Sequence, residues 1–163
     1  MEDRGGEAVI GYMSIEEQVD KDFVRARHRA LAGRVVALLR GGGEDLLSFD
    51  EVRRASRANG GLRRGRREVE VRRIVGSVGR YRQFDRNFMP RKASLRDKWE
   101  RVDRAFVRGE ELPPVSLYKI GDKYFVQDGN HRVSVARYQG VEMIDAEVTE
   151  LLTPVGGWRP ESR

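Results

Sequence analysis

The chain contains no cysteine among its 163 residues, which removes disulfides, thiolate metal sites and cysteine nucleophiles in one step. It also lacks any apolar run approaching the ~20 residues of a membrane-spanning helix. The N-terminal MEDRGGEAVI does not show the basic-then-apolar order of a signal peptide. A cytoplasmic protein with no membrane association is the expectation. Hydrophobic residues make up 39% and charged residues 36%, enough for one ordinary domain with a modest core and a small appendage.

Charge is plentiful and unevenly placed. Between Val52 and Lys92 there are 14 Lys or Arg against 3 acids, in a chain whose formal charge is +6, so the remainder is net negative. A basic middle in an otherwise acidic chain suits a phosphate-facing surface. It equally suits a solvated arginine-rich loop, because charge alone names no ligand.

Hydrophobic spacing predicts the elements. Ile15, Val19, Phe23, Ala26 and Ala30 recur at helical intervals after Ser14, a natural N-cap, and Gly41-Gly42-Gly43 ends the helix. His28 sits in it among arginines, where a surface role is expected. A second short helix is predicted from Phe49 to Arg57. NGGLRRGRR (59–67) reads as a glycine-punctuated basic loop, followed by a half-exposed strand from Val69 to about Val75. GSVGRYRQFDRNFMPRK (76–92) has no periodicity but too many aromatics for a disordered linker, and reads as an ordered loop. Ser94-Leu95-Arg96-Asp97, a variant capping box, opens a third helix closed by Gly109. VSLYKI (115–120), the Gly121-Asp122 turn and KYFVQ (123–127) form the clearest hairpin. A short helix from about His131 to Tyr138 and a strand around Ile144–Val148 complete an α+β unit. Residues 1–58 are read as a helical extension, 59–68 as a basic linker, 69–150 as the domain and 151–163 as a fraying tail.

The segment VQDGNHRVSVAR (126–137) places Gly129, Asn130, His131 and Arg132 where that last helix begins. A helix start offers unpaired N–H groups and partial positive charge, and therefore attracts anions. Gly129 permits positive φ or close approach to a ligand. Arg132 brings a donor fork suited to phosphate oxygens, and His131, Asn130 and Ser134 can complete the shell. The competing reading is that Asp128 or Asn130 only caps the helix while Arg132 pairs with a surface acid.

The run LPPVSLYKIGDKYFVQDGNHRVSVARYQG (112–140) resembles the ParB/sulfiredoxin superfamily, and the order of elements extends the resemblance to about 69–149. It implies a small mixed sheet with packed helices and a nucleoside di- or triphosphate held at the Gly129–Arg132 helix start. Gly129 and Arg132 match both branches of the superfamily, His131 the sulfiredoxin branch alone. Asn130 stands where sulfiredoxins carry cysteine and partition proteins carry glutamate, so sulfinic-acid reduction by this chain is excluded. With 13 residues after Glu150, the centromere-clamp role of partition proteins is not expected. Some members phosphorylate free serine. By that resemblance, Asp85 and His131 are the candidate catalytic groups, Arg80, Arg82, Arg86 and Arg91 are candidate phosphate or acid-substrate holders, and Asp128 is a candidate for holding magnesium through water. Hydrolysis or transfer of phosphate to a small hydroxyl acceptor stays open. The alternative is a DNA-binding, partition-like module whose Arg63, Arg64, Arg66 and Arg67 contact the backbone.

Overall fold

The hairpin legible in the sequence is the centre of the sheet. In the computed structural model, which describes residues 13–43 and 45–154, β4 (Val115–Ile120) and β5 (Lys123–Asp128) pair antiparallel across Gly121, whose φ of 61° the tight turn requires. Four strands flank them: β1 (Leu47–Ser48), β2 (Asn59–Glu70), β3 (Ile74–Ser77) and β6 (Met143–Leu152). The order is β1-β3-β5-β4-β6-β2, with β1–β3, β3–β5 and β4–β6 parallel and β2–β6 antiparallel. The fold is α+β, with a six-stranded mixed sheet and four helices. No helix among the described residues is long and apolar enough to cross a membrane.

Alternation along the strands divides the interior between the two faces of the sheet. Val115, Leu117, Val126, Ala146 and Val148 face the larger core, covered by α1 (Ile15–Arg40), α3 (Arg96–Val107) and α4 (Asn130–Tyr138). Ile120, Phe125 and Leu151 face a smaller core closed by Phe49 and Val52 of α2 (Phe49–Ser56). The N-terminal residues are thus built into the sheet and its cover. Phe23 meets Trp99 edge-on at 5.7 Å, and β1 extends the sheet beyond β3.

Helix α1 begins as its sequence implies. Ser14 Oγ accepts from Glu17 N at 3.2 Å, and the Glu17 carboxylate accepts from Ser14 N at 3.0 Å. Val19, Phe23, Ala26 and Ala30 are buried, but beyond Ala30 no residue of the helix is. Leu38 and Leu39 are 75% and 83% exposed. The box expected at Ser94 does not form. A 3₁₀ turn, Ala93–Leu95, precedes α3, and no side chain caps that helix.

Residues 59–68, expected as a basic loop and linker, are instead most of β2. Its glycines mark irregularities in the pairing. Gly60 and Gly65 have φ of 72° and 73°, beside the register shifts between Asn59 and Leu62 and between Arg63 and Gly65. Its arginines hold the strand to an acidic partner, Arg64 with Glu150 at 2.8 Å and Arg66 with Asp145 at 2.6 Å. Cross-strand charge replaces the apolar alternation by which a strand is recognised. The strand expected from Val69 to Val75 is broken by a 3₁₀ turn at Val71–Arg73. The expected fraying from Leu151 is also corrected, because Leu151 and Leu152 belong to β6 and Leu151 is buried. The first 12 residues of the expected helical extension, and the tail from 155, lie outside the described residues.

Two buried polar assemblies pin the helices. Trp99 Nε1 donates to Ser134 Oγ at 2.9 Å, and the Ser134 hydroxyl donates to the Phe88 carbonyl. One turn further along the same face of α3, Gln139 Nε2 donates to Asp103 Oδ1 at 2.8 Å and Asp22 Oδ2 at 3.2 Å, while Tyr138 donates to Asp22 Oδ1 at 3.0 Å. Removing the Ser134 hydroxyl orphans a donor and an acceptor inside the core. Ser134→Ala should lower unfolding free energy by about 1–3 kcal/mol, measured by urea denaturation, whereas Ser134→Thr should unfold more readily through overpacking rather than lost bonding.

Candidate functional site

Two clefts share the aromatic loop of residues 78–92. The first opens at the start of α4. Gly129 takes φ 108°, and a Cβ there would lie 2.6 Å from Val115 Cγ1, so glycine is required by the turn and by packing on β4. No side chain caps the helix. The first backbone bond into it runs from Val133 N to Gly129 O at 3.0 Å, leaving the N–H groups of Asn130, His131 and Arg132 without an intrahelical partner. The side-chain cap of the competing reading is not formed, but its other half is: Arg132 Nη2 pairs with an exposed acid, Asp128, at 3.0 Å.

A cleft of about 430 Å³ lies over these donors, within the range of small-ligand sites. Arg80, Lys98 and Arg101 bring positive charge to it, and Val102, Leu112 and Pro113 give it an apolar side. Asn130 is 8% exposed and its Oδ1 has no partner; a half-turn of the amide would present its donors at the same point. His131 Nε2 is likewise buried without a partner, and the ring stands edge-on to Phe84 at 5.3 Å. Burial, reinforced by the charges of Lys98 and Arg80, pulls the imidazole down to about 4. His131 is therefore neutral at pH 7 and can donate through one ring nitrogen.

The other expected residues separate. Arg132 acts first as a clamp, its Nη1 donating to the carbonyls of Pro113 at 2.6 Å and Pro114 at 2.8 Å. Ser134 is fully buried with its hydroxyl used between Trp99 and Phe88, so it does not reach the cleft. Arg82 lies over its neighbour Tyr81, 5.7 Å from the ring centre. Asp85 is 5% exposed, and its Oδ1 accepts from Asn87 N at 2.8 Å and Met89 N at 2.9 Å, which closes the 85–89 turn. With Arg86 and Arg91 it lines the second cleft, against α1, and not the α4 cleft. Asp85 and His131 are thus not brought together, and the expected pairing of base and phosphate site is not formed. Arg63, Arg64, Arg66 and Arg67 lie on edge strand β2, remote in the sheet order from β3 and β5, two of them paired with acids.

Sequence reasoning missed Lys98 and Arg101. Both lie on α3 one turn apart, interleaved with the apolar stripe of Leu95, Trp99 and Val102, and that basic pair at i, i+3 was the available signal. A magnesium site does not fit this donor set. Asp128 is a single carboxylate already paired with Arg132, and no group of three or more His, Cys, Asp or Glu that could hold a metal occurs among the described residues.

No family model matches the chain, and no curated protein matches it. Among solved structures it is similar to the crystal structure of sulfiredoxin from Arabidopsis thaliana, at 16% sequence identity and a TM-score of 0.39, over 51% of this chain and 82% of that one.

A half-buried histidine and a buried carboxyl make stability depend on pH in opposite directions. His131, depressed to about 4, must take up a proton on acidification, so its contribution is present above the unfolded value near 6.5 and is lost as pH falls toward 4. Asp103 is raised to about 7, by burial first and then by the nearby Asp22, so its contribution is present below about 4 and lost as pH rises toward 7. The two slopes oppose each other in the wild type. Asp103→Asn should unmask stability that rises with pH between 4 and 6.5, and His131→Gln should unmask stability that falls between 4 and 7, both read from urea midpoints. Arg132→Ala should cost on the order of 2 kcal/mol, because two carbonyls and Asp128 lose a charged donor.

Proposed function

We propose that this protein binds a small phosphate-bearing ligand, of which a nucleoside phosphate is the best fit, at the start of α4. The observation that carries this reading is a helix start with no side-chain cap that opens into a basic cleft. Three backbone N–H groups and the helix dipole favour an anion there. Arg80 and Lys98 approach from the 78–92 loop and α3, and the apolar side formed by Val102 and Leu112 accommodates the organic part of the ligand. The buried, unpartnered Asn130 amide and His131 imidazole supply recognition groups that gain a partner on binding.

The reading is one of binding and assigns no chemistry. Phosphoryl transfer to a hydroxyl needs a carboxylate within hydrogen-bond reach of the acceptor. Asp128 is the one carboxylate lining this cleft among the described residues, and it is held by Arg132. The β2 arginines are partly neutralised by β6, which gives the DNA-binding alternative no specific support.

A panel of nucleoside mono-, di- and triphosphates with pyrophosphate, followed by thermal shift and calorimetry, tests the proposal. At least one should raise the melting temperature, by linkage to the folded state. Arg80→Gln with Lys98→Gln should then weaken binding by about ten- to a hundredfold, the scale of one or two charge-assisted bonds, with the fold unchanged by circular dichroism. On binding, the His131 imidazole should titrate upward from about 4, because an adjacent anion stabilises its charged form. Absence of any shift across the panel at millimolar ligand would reject the assignment.

A further inference from the structure

The second cleft, of about 540 Å³, lies between the latter half of α1 and the turn at residues 85–91. Its features are unusual in combination. Arg34, Arg40 and Arg86 line it without an ion pair or hydrogen bond among the described residues. Arg86 reaches across the opening, its Nη1 lying 4.0 Å from where a Cβ of Gly42 would stand. Leu31 and Val36 form an apolar wall although they are 50% and 45% exposed. Apolar surface of Leu31 and Val36 thus lies beside three exposed guanidinium groups, an arrangement that offers both apolar contact and anion-binding donors.

Gly33 adds an independent observation. It lies inside a helix, where glycine costs about 1 kcal/mol relative to alanine. A Cβ at Gly33 would touch Asp85 Oδ2 at 3.5 Å. That oxygen is the one Asp85 does not use in closing its turn, since both backbone donors go to Oδ1. Glycine at this position leaves an acceptor uncovered on the floor of the cleft. The floor asks for a donor, the arginines for an anion, and the wall for an apolar body.

We propose that this cleft is a second ligand site, separate from the one at α4, for a small amphipathic organic anion: a carboxylate or phosphate head at Arg34, Arg40 and Arg86, an apolar chain or ring along Leu31 and Val36, and a hydroxyl or N–H on Asp85. Guanidinium forks match carboxylate and phosphate oxygens in two-point contacts, and the volume falls within that of small-molecule sites. The same occupancy covers the apolar wall, satisfies the arginines and uses the carboxylate oxygen that Gly33 exposes. It draws on none of the groups lining the α4 cleft.

The test uses the full chain and the fluorescent amphipathic anion 1-anilinonaphthalene-8-sulfonate, displaced by decanoate, 3-hydroxydecanoate or neutral decanol. Saturable binding is expected, with 3-hydroxydecanoate displacing the dye better than decanoate and decanol at least tenfold worse than either. Arg34→Gln with Arg86→Gln, both at exposed positions, should weaken displacement at least tenfold with unchanged circular dichroism. Gly33→Ala should remove the advantage of the hydroxy acid while sparing decanoate. Arg80→Gln with Lys98→Gln should leave all of this unchanged, so loss in that variant would merge the two sites and overturn the proposal. It would also be overturned by equal displacement by decanol, by indifference to the arginine changes, or by binding to phosphatidylglycerol vesicles without displacement by monomeric decanoate.

Discussion

Much of this architecture depends on one hydroxyl group. Ser134 lies on the buried face of α4, accepts from the Trp99 indole of α3, and donates to the carbonyl of Phe88 in the aromatic loop. Three segments distant in sequence thereby meet at one atom. Phe88 needs that anchor because its φ of 58° is unfavourable for a bulky residue. With the carbonyl held, Asp85 can close its turn, Phe84 can pack beside His131, and the loop is fixed well enough to form the walls of two clefts. The burial of Trp99 against Phe23 then carries the same constraint into α1.

The loop divides its neighbours between those clefts by direction alone. Phe84 points toward α4, where it stands against His131, while the adjacent Asp85 and Arg86 point toward α1. Adjacent residues in an irregular turn need not share a face, and here they do not. The uneven charge of the chain has a parallel explanation in the sheet. Part of the basic middle is a strand, and part of the compensating acid is the strand beside it, with Asp145 and Glu150 taking Arg66 and Arg64. Of the other arginines of that stretch, Arg72 and Arg73 pair with Glu70 and Arg91 with Asp45, while Arg80 and Arg86 face the open clefts.

What could be read in the sequence was what local periodicity encodes. The central hairpin, the Ser14 N-cap, the glycine before α4 and the apolar stripe of α3 each follow from residues within one or two turns of each other. β2 was hidden because its pairing rests on charge across the ladder and its glycines mimic the punctuation of a loop. The function of Ser134 was hidden because Trp99 is 35 positions away. Arg132 and Asp85 were legible as residue types suited to an anion site, yet their first partners are carbonyls and amides of the chain itself. Residue type names a capacity, and only geometry says whether that capacity is already occupied.

The length of β2 has a consequence for how molecules behave toward one another. It runs for 12 residues along one margin of the sheet, whereas β1 at the opposite margin has only two. A long unpaired ladder is a template for a neighbouring strand, and mutual repulsion between arginine-bearing edges is the ordinary deterrent. That deterrent is ionic and weakens as salt shortens the screening length to a few ångströms. Concentrated electrolyte, or a polyanion laid along the margin, therefore lowers that ionic barrier and leaves the irregularities at Gly60 and Gly65 to interrupt the ladder.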